Sequence, residues 1–593
     1  MVTRFLITTA DQETWKVDQP VLFLGEWCKL YNKKQDWENI DYQVVPYHWD
    51  DRLQLFEDYK YLKKFYEDML LACSDALNKF HGVDHSLRYW RILIGPWLFY
   101  FLQTVFDRWQ MIDQATKEFE LSGSTVLDIE LDLIVPQHFS HYCELYVDDL
   151  WNHWLYSKIL EYVGFSNTIK LPYSRNEAIN ENHTPSAIKI FIGKGKLFIK
   201  QTFNFISNKI KKNDFFFISS YLEPIEQIKL EFSLKQFPTF YFQPKLKPIK
   251  FIEEHRKDFK IDISVNKGFE EFASSLISVQ IPRYYLEGYK SLVQLTDEIE
   301  WPSLPKIIYT SNASIGGDFF KCWAACKTEK GVKLVLGQHG GQYGVGKWVS
   351  TEEHELSISN HFITWGWTGL SKKFFPLPAS KLACIHKRLT SNSSGGLILA
   401  QASAPRYSYW MYSIPVSSQF GDYFNEQVLF ANALSNKIRS LLTVRLYPKD
   451  YGWGQKARWL NALPDTKFDS FSNSLEESIS VSRLFIGTYN STTFLETFSA
   501  NVPTIIFWNP AFWELRESAK ADYHMLREAG ILYDTPESAA KKVEEIWDDV
   551  NGWWQQTHIQ KARIAFCSKY AITATDWLSQ WKNTLKKISQ EDI

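Results

Sequence analysis

Between residues 52 and 80 the apolar side chains return at steps of three and four: Leu55, Tyr59, Leu62, Phe65, Tyr66, Met69, Leu70 and Cys73. That is the spacing of one helix face. A second block over 88–120, from RYWRILIGPWLFYFL to FDRWQMIDQATKEF, predicts another long helix. Ahead of both, TRFLITT (3–9) reads as a buried strand ending in small hydroxyl residues. The first third is therefore predicted to be one strand followed by a helix-rich stretch. From residue 304 the pattern alternates. LPKIIYTSN reads as a strand, DFFKCWAACKTEKG as a helix closed by Gly331, VKLVLGQHGG as a strand with a glycine turn, and HFITWGW (361–367) as another strand. After the polar LTSNSSGG (389–396) come a strand LILAQAS, a helix (422–441), strands TVRLYP (443–448) and RLFIGTY (483–489), a helix from Thr493, and a strand VPTIIFW (502–508). Alternating strands and helices imply parallel, doubly wound sheets.

A chain of 593 residues leaves room for about four structural units. Its 45% hydrophobic and 23% charged residues exclude disorder, collagen and coiled coil as the main architecture. The net charge of −2 gives no global reason to bind nucleic acid. Aromatic residues reach 16%, which suits sugars and nucleobases but equally fills cores. Seven scattered cysteines make no disulfide framework, and Cys322 and Cys326 are spaced for one helix face rather than a zinc knuckle. The longest apolar run, Ile92 to Leu102, falls short of the ~20 residues that span a bilayer. A cytoplasmic protein is predicted. Over 187–260 the character shifts, with 15 Lys or Arg against 7 Asp or Glu. This stretch reads as a solvated, loop-rich insertion, or as a basic patch resting peripherally on the anionic inner membrane.

Ligands of open α/β sheets sit beyond the carboxyl ends of strands. After RLFIGTY comes Asn490-Ser491-Thr492-Thr493, a run of hydroxyl and amide groups opening a helix, where free N–H groups attract phosphate. After TVRLYP comes Lys449, and Arg445 lies within the strand; both cations are candidates for the same phosphate, with Trp453 available to stack. In the third block, Gly316-Gly317 leads to Asp318, and the next strand ends in Gln338-His339-Gly340-Gly341, whose glycines let a ligand approach the backbone. Ser350-Thr351-Glu352-Glu353-His354-Glu355 follows as a carboxylate-rich capping stretch. Asp318 as nucleophile or base, His339 as its acid/base partner, and Glu353 or Glu355 as the orienting carboxylate make an expected catalytic set.

The string from SNASIGGDFFKCW to HFITWGW, with FLITTADQETW (5–15), FLGEWCKLY (23–31) and RYWRILIGPWL (88–98), resembles a transferase family found in bacterial O-antigen and surface-polysaccharide gene regions. More distantly the chain is similar to Kdo transferases and bacterial sialyltransferases of the GT-B fold, which hold CMP with an HP motif and an SS/ST motif. Here Tyr447-Pro448-Lys449 stands in the first place, with Tyr for His, and Asn490 to Thr493 in the second. The resemblance implies a GT-B-like α/β fold of two Rossmann-like domains facing a cleft, with a helix-rich N-terminal part. Its domains would be 1–388 on the acceptor side, 389–574 for the nucleotide sugar, and a last helix (575–593) crossing back. The implied function is transfer of a sugar, a CMP-activated ulosonic acid, onto a surface polysaccharide, lipid-linked or protein acceptor. A nucleotide-sugar epimerase-like isomerase and a non-catalytic polysaccharide-assembly protein are the alternatives. No Asp-x-Asp pair sits at a strand end, so neither a metal nor another cofactor is expected.

Overall fold

A computed structural model describes residues 2–173 and 213–591. Its sixteen strands form three sheets, all of whose pairings are parallel. The first holds β1 (Arg4–Ile7), β2 (Val21–Phe23), β3 (Tyr42–Val44), β4 (Leu121–Asp128) and β5 (Thr168–Pro172), ordered β3-β2-β1-β4-β5. The second holds β6 (Phe215–Phe217), β7 (Ile307–Thr310), β8 (Lys333–Gly337), β9 (His361–Thr364) and β10 (Phe374–Pro376) in simple succession. The third holds β11 (Gly396–Ala400), β12 (Leu442–Arg445), β13 (Lys467–Phe468), β14 (Ser482–Gly487), β15 (Thr504–Phe507) and β16 (Leu532–Tyr533). Its order, β13-β12-β11-β14-β15-β16, is that of a Rossmann sheet, with its reversal between β11 and β14.

The α/β class with parallel sheets is thus what the chain adopts, but the first third contains more than one strand and two helices. β2 and β3 are three residues each, too short to show a period, and β4 (LSGSTVLD) is rich in small polar residues. The basic stretch also needs correction. Its part up to residue 212 lies outside the described residues, but Phe215–Phe217 is a fully buried edge strand of the second sheet, not part of an insertion.

The two long helices are where their periodicity places them. The first, Arg52–His81, is capped by Asp51, whose side chain accepts from the Leu53 and Gln54 N–H groups, and it ends at Gly82 with φ +67°. The second, Leu87–Glu118, is apolar on nearly all sides because neighbours enclose it. They include the helices Arg52–His81, Asp149–Tyr162, Asp318–Glu329 and Ser350–Ile358, so one buried helix joins the first and second sheets. The last helix, Trp577–Gln590, lies on the second sheet: Trp581 Nε1 donates to the Pro378 carbonyl at 2.8 Å and Lys333 Nζ to that of Ile588 at 2.7 Å. Among the described residues no helix is long and apolar enough to cross a membrane.

The third sheet is tied to the first by the loop that follows β11. Arg108, on the enclosed helix, donates to the Ser408 carbonyl, to Asp107 Oδ2 (2.5 Å) and to Asn152 Oδ1 (2.8 Å). The Tyr47 hydroxyl lies 2.6 Å from both Asp107 Oδ1 and Ser408 Oγ. Burial alone would raise the Asp107 carboxyl, yet the Arg108 guanidinium and His48 beside it hold it below its ordinary range. Two residues earlier in the loop, Arg406 donates to the carbonyls of Trp27 and Tyr451 and to Asp149 Oδ2. Arg108→Ala should strand a buried carboxylate and cost about 3–5 kcal/mol. We expect a marked fall in the thermal midpoint by scanning calorimetry; a midpoint equal to the wild type would show that the pair is not stabilising.

Candidate functional site

Two strand ends from different sheets meet. β8 runs into Gln338-His339-Gly340-Gly341 and β14 into Thr488-Tyr489-Asn490-Ser491-Thr492. The Gly341 N–H donates to Thr492 Oγ1 at 3.1 Å. A Cβ on Gly341 would stand 2.6 Å from the Ser491 carbonyl carbon, so only glycine lets the loops touch. Gln338 fixes the turn: its Nε2 donates to the Gly340 carbonyl, and its Oε1 accepts from Trp365 N–H and the Trp367 indole. Beside the contact lies a cavity of about 390 Å³. His339, Tyr343, Thr351 and Asn312 line it from the second unit and Ser491 from the third, with an aromatic wall of Tyr100, Trp410 and Tyr412.

His339 is the one imidazole lining this cavity. About one fifth of it is exposed, and its Nδ1 lies 3.6 Å from Glu355 Oε1, behind the wall. Glu355 is fully buried on the helix Ser350–Ile358. Its Oε1 accepts from Ser314 Oγ (3.2 Å), and its Oε2 lies 2.9 Å from the Tyr343 hydroxyl, itself 3.3 Å from His339 Nε2. Tyr343 also reaches Thr351 Oγ1, which Tyr412 shares. Burial pushes His339 down to about 4 and raises Glu355 well above a carboxyl's ordinary value, against the lowering effect of its hydrogen bonds. Burial therefore favours the neutral form of the imidazole.

On the third sheet, the reversal between β11 and β14 opens a crevice beyond their carboxyl ends. Gln401 Nε2 and Ser403 Oγ, just after β11, are buried without hydrogen-bond partners. Ser491 and Thr492 begin the helix Thr492–Ser499, and Ser491 faces the cavity. Among the described residues no three His, Cys, Asp or Glu side chains are gathered to hold a metal.

Several sequence candidates lie elsewhere. Asp318 is buried outside the cavity. Its Oδ1 accepts from the Tyr285 hydroxyl and pairs with Lys321 Nζ at 3.1 Å, while its Oδ2 accepts from the Phe139 N–H at 3.0 Å. Both oxygens are engaged in contacts within the protein, and Asp318 does not line the cavity. Glu353 points away from His339 and pairs with Lys63 at 2.8 Å. The stretch 350–355 is the body of a helix, which puts Glu353 and Glu355 on different faces. Arg445 is held by Asp469, Ser478 Oγ and the Asn473 carbonyl, not turned to a phosphate. Lys449 lies over the Tyr451 ring at 4.7 Å. Asn490 accepts from the Tyr523 hydroxyl at 2.7 Å, the Thr493 hydroxyl bonds Tyr489, and the Trp453 indole donates to the Ala404 carbonyl. The candidates brought together are His339, Gly340, Gly341, Glu355, Ser491 and Thr492. Tyr100, Tyr343, Thr351, Trp410 and Tyr412 were missed. Tyr343 stood inside QHGGQYG and was legible; Tyr100 is hidden in a uniformly apolar helix.

The family model of the LIC12162 family transferases matches residues 4–585. The chain belongs to that family. No curated protein matches its sequence. Among solved structures it is similar to S. aureus MnaA with UDP (11% identity, 63% of this chain, 95% of that one, TM-score 0.37). It is similar to Acinetobacter baumannii MurG (9%, 63% and 98%, 0.32) and to WaaG, a glycosyltransferase of lipopolysaccharide biosynthesis (12%, 51% and 96%, 0.27). At these TM-scores the arrangement of the transferase's units rests on its own sheets.

Gly341→Ala drives a methyl group against the Ser491 backbone and must part the two loops. A displacement of about 1 Å at a reacting centre costs on the order of 10²-fold. We expect transferase turnover to fall on that scale with an unchanged circular dichroism spectrum; full turnover would show that the contact is dispensable.

Proposed function

We propose that the chain moves a glycosyl group from a nucleotide-activated sugar to a hydroxyl of a surface-glycan acceptor. The observation that carries this reading is the meeting of a neutral, carboxyl-backed imidazole with a helix N-terminus, across a cavity at the carboxyl ends of two parallel sheets. The part after residue 389 takes the donor, with its phosphate at Ser491 and Thr492, where the start of a helix favours an anion. The part up to residue 388 takes the acceptor and supplies His339. The acceptor oxygen bonds the anomeric carbon as the bond to the phosphate oxygen breaks. The phosphate keeps that electron pair, and the hydroxyl proton passes to His339. Direct displacement with inversion fits better than a covalent intermediate, because Asp318 is engaged outside the cavity and Glu355 lies behind Tyr343. A CMP-linked ulosonic acid is the donor class we favour. That choice rests on Tyr447-Pro448-Lys449 and Asn490 to Thr493, at the ends of β12 and β14.

Incubation with CMP- and UDP-linked sugars, with and without a bacterial surface-glycan extract, tests the reading. Nucleotide release that requires the extract supports transfer, whereas an altered sugar without it would make the protein an isomerase. His339→Ala should lower acceptor-dependent release by about 10²–10⁴-fold, the range for a lost acid/base group. In the wild type the rate should hold down through pH 6.5, where an ordinary imidazole charges, and fall only as the pH approaches about 4, with folding followed in parallel. A rate that already halves near pH 6.5, or a fully active His339→Ala protein, would remove His339 from the reaction.

A further inference from the structure

The cavity's aromatic wall belongs neither to the imidazole pair nor to the phosphate cradle, and its construction is unusual. Tyr146, Tyr409 and Trp410 form a continuous stack, with ring centroids 4.4 and 4.5 Å apart and planes within 13° and 23°. The stack starts in the first unit and ends in the cavity, where Trp410 is partly exposed. Tyr412 lies against Trp410 at 4.3 Å, and Tyr100 stands 6.3 Å away. The stack is rigid at its base. Arg108 and Asn152 donate to the Tyr146 carbonyl, and Arg108 also holds Ser408, the residue before Tyr409. Around the Trp410 edge the cavity presents Asn312, Gln342 and Ser491, polar side chains suited to hydroxyl groups.

A rigid ring edged by amide and hydroxyl groups fits a ligand with both an apolar C–H face and hydroxyls. That is a saccharide ring. Trp410 is joined to the His339 side, because Tyr412 shares Thr351 with Tyr343 and pairs with Val349. We propose that Trp410 is the platform on which a sugar ring of the acceptor stacks, which makes the acceptor a glycan terminus rather than a lipid or peptide hydroxyl. This inference rests on the transferase reading for its direction of transfer, but the platform itself is tested without turnover.

The probe is an equimolar mixture of the methyl glycosides of glucose, galactose, mannose and N-acetylglucosamine, read by saturation-transfer-difference NMR on the full chain. CMP and UDP affinities are measured in parallel by calorimetry. The wild type should transfer saturation to the ring C–H protons of at least one glycoside. Trp410→Ala should cut that signal by roughly five-fold or more, Trp410→Phe should keep it, and neither change should alter nucleotide affinity. Saturation that survives in Trp410→Ala, or no saturation in the wild type, overturns the platform. A loss of nucleotide affinity in Trp410→Ala alone, with Trp410→Phe normal, would place the donor base on the ring and also overturns it, leaving the transferase reading intact. If the wild type binds neither nucleotide while glycosides saturate through Trp410, the platform stands and the donor assignment fails.

Discussion

Two guanidinium groups buried between the first and third sheets, Arg108 and Arg406, set the path of the loop that follows β11, and the cavity depends on that path. Each donates to two backbone carbonyls: Ser408 and Tyr146 for Arg108, Trp27 and Tyr451 for Arg406. A guanidinium carries five N–H donors in a fixed plane. Satisfying them with carbonyls dictates where the main chain runs. Burying such charges is costly unless each is paired, and Asp107 and Asp149 provide the pairing. The joint therefore trades stability for position. An apolar joint of the same size would hold as well, but it would let the loop slide.

Position matters because the cavity belongs to no single unit. The second unit brings an imidazole made neutral by burial, the third a helix N-terminus, and the loop an aromatic face. Each is ordinary by itself. Together they enclose a space where charges are poorly screened, so charges placed in it interact more strongly than in water. The Gly341–Ser491 contact sets how closely the units approach, and Glu352 reinforces it, accepting from Gly344 N–H and both its oxygens lying 3.0 Å from Arg516 Nη2.

What the sequence revealed follows from what a local pattern can encode. The long helices, seven of the ten strands after residue 304 and the glycine turn after His339 were legible, because periodicity and turn chemistry are local; the edge strands β10, β13 and β16, two or three residues long, were not. Of the first sheet only β1 was legible, because three-residue strands have no measurable period. Within the site, His339, Gly341, Ser491 and Thr492 stood out as strand-end residues. Asp318 looked equivalent by the same rule. Its fate was decided by Tyr285 and the Phe139 N–H, distant in sequence and brought close only by the fold. Likewise, nothing local separates Glu353 from Glu355. Two residues apart on a helix, they face different neighbours, and only the partners Lys63 and Tyr343 tell them apart.

Among the described residues seven non-glycine residues have positive φ, and three of them lie along the same line of construction. Ser417 and Tyr451 hold φ of +42° and +55°, values that side-chain-bearing residues adopt at a cost of order 1–3 kcal/mol each. Both are bound to Arg406: Ser417 Oγ donates to its carbonyl at 3.1 Å, and its Nε donates to the Tyr451 carbonyl at 2.9 Å. Tyr221 (φ +61°) is held in the same way, its hydroxyl accepting from Asn312, which lines the cavity. Strain of this kind persists only where neighbours over-determine the backbone. At these three positions the neighbours are the clamp and the cavity wall, not the sheets. The free energy released by burying the hydrophobic core is thus spent partly on holding a few loop residues where relaxed loops would not go. The cavity needs such fixed loops, because Trp410, His339 and Ser491 line it together but come from separate loops rather than from one element.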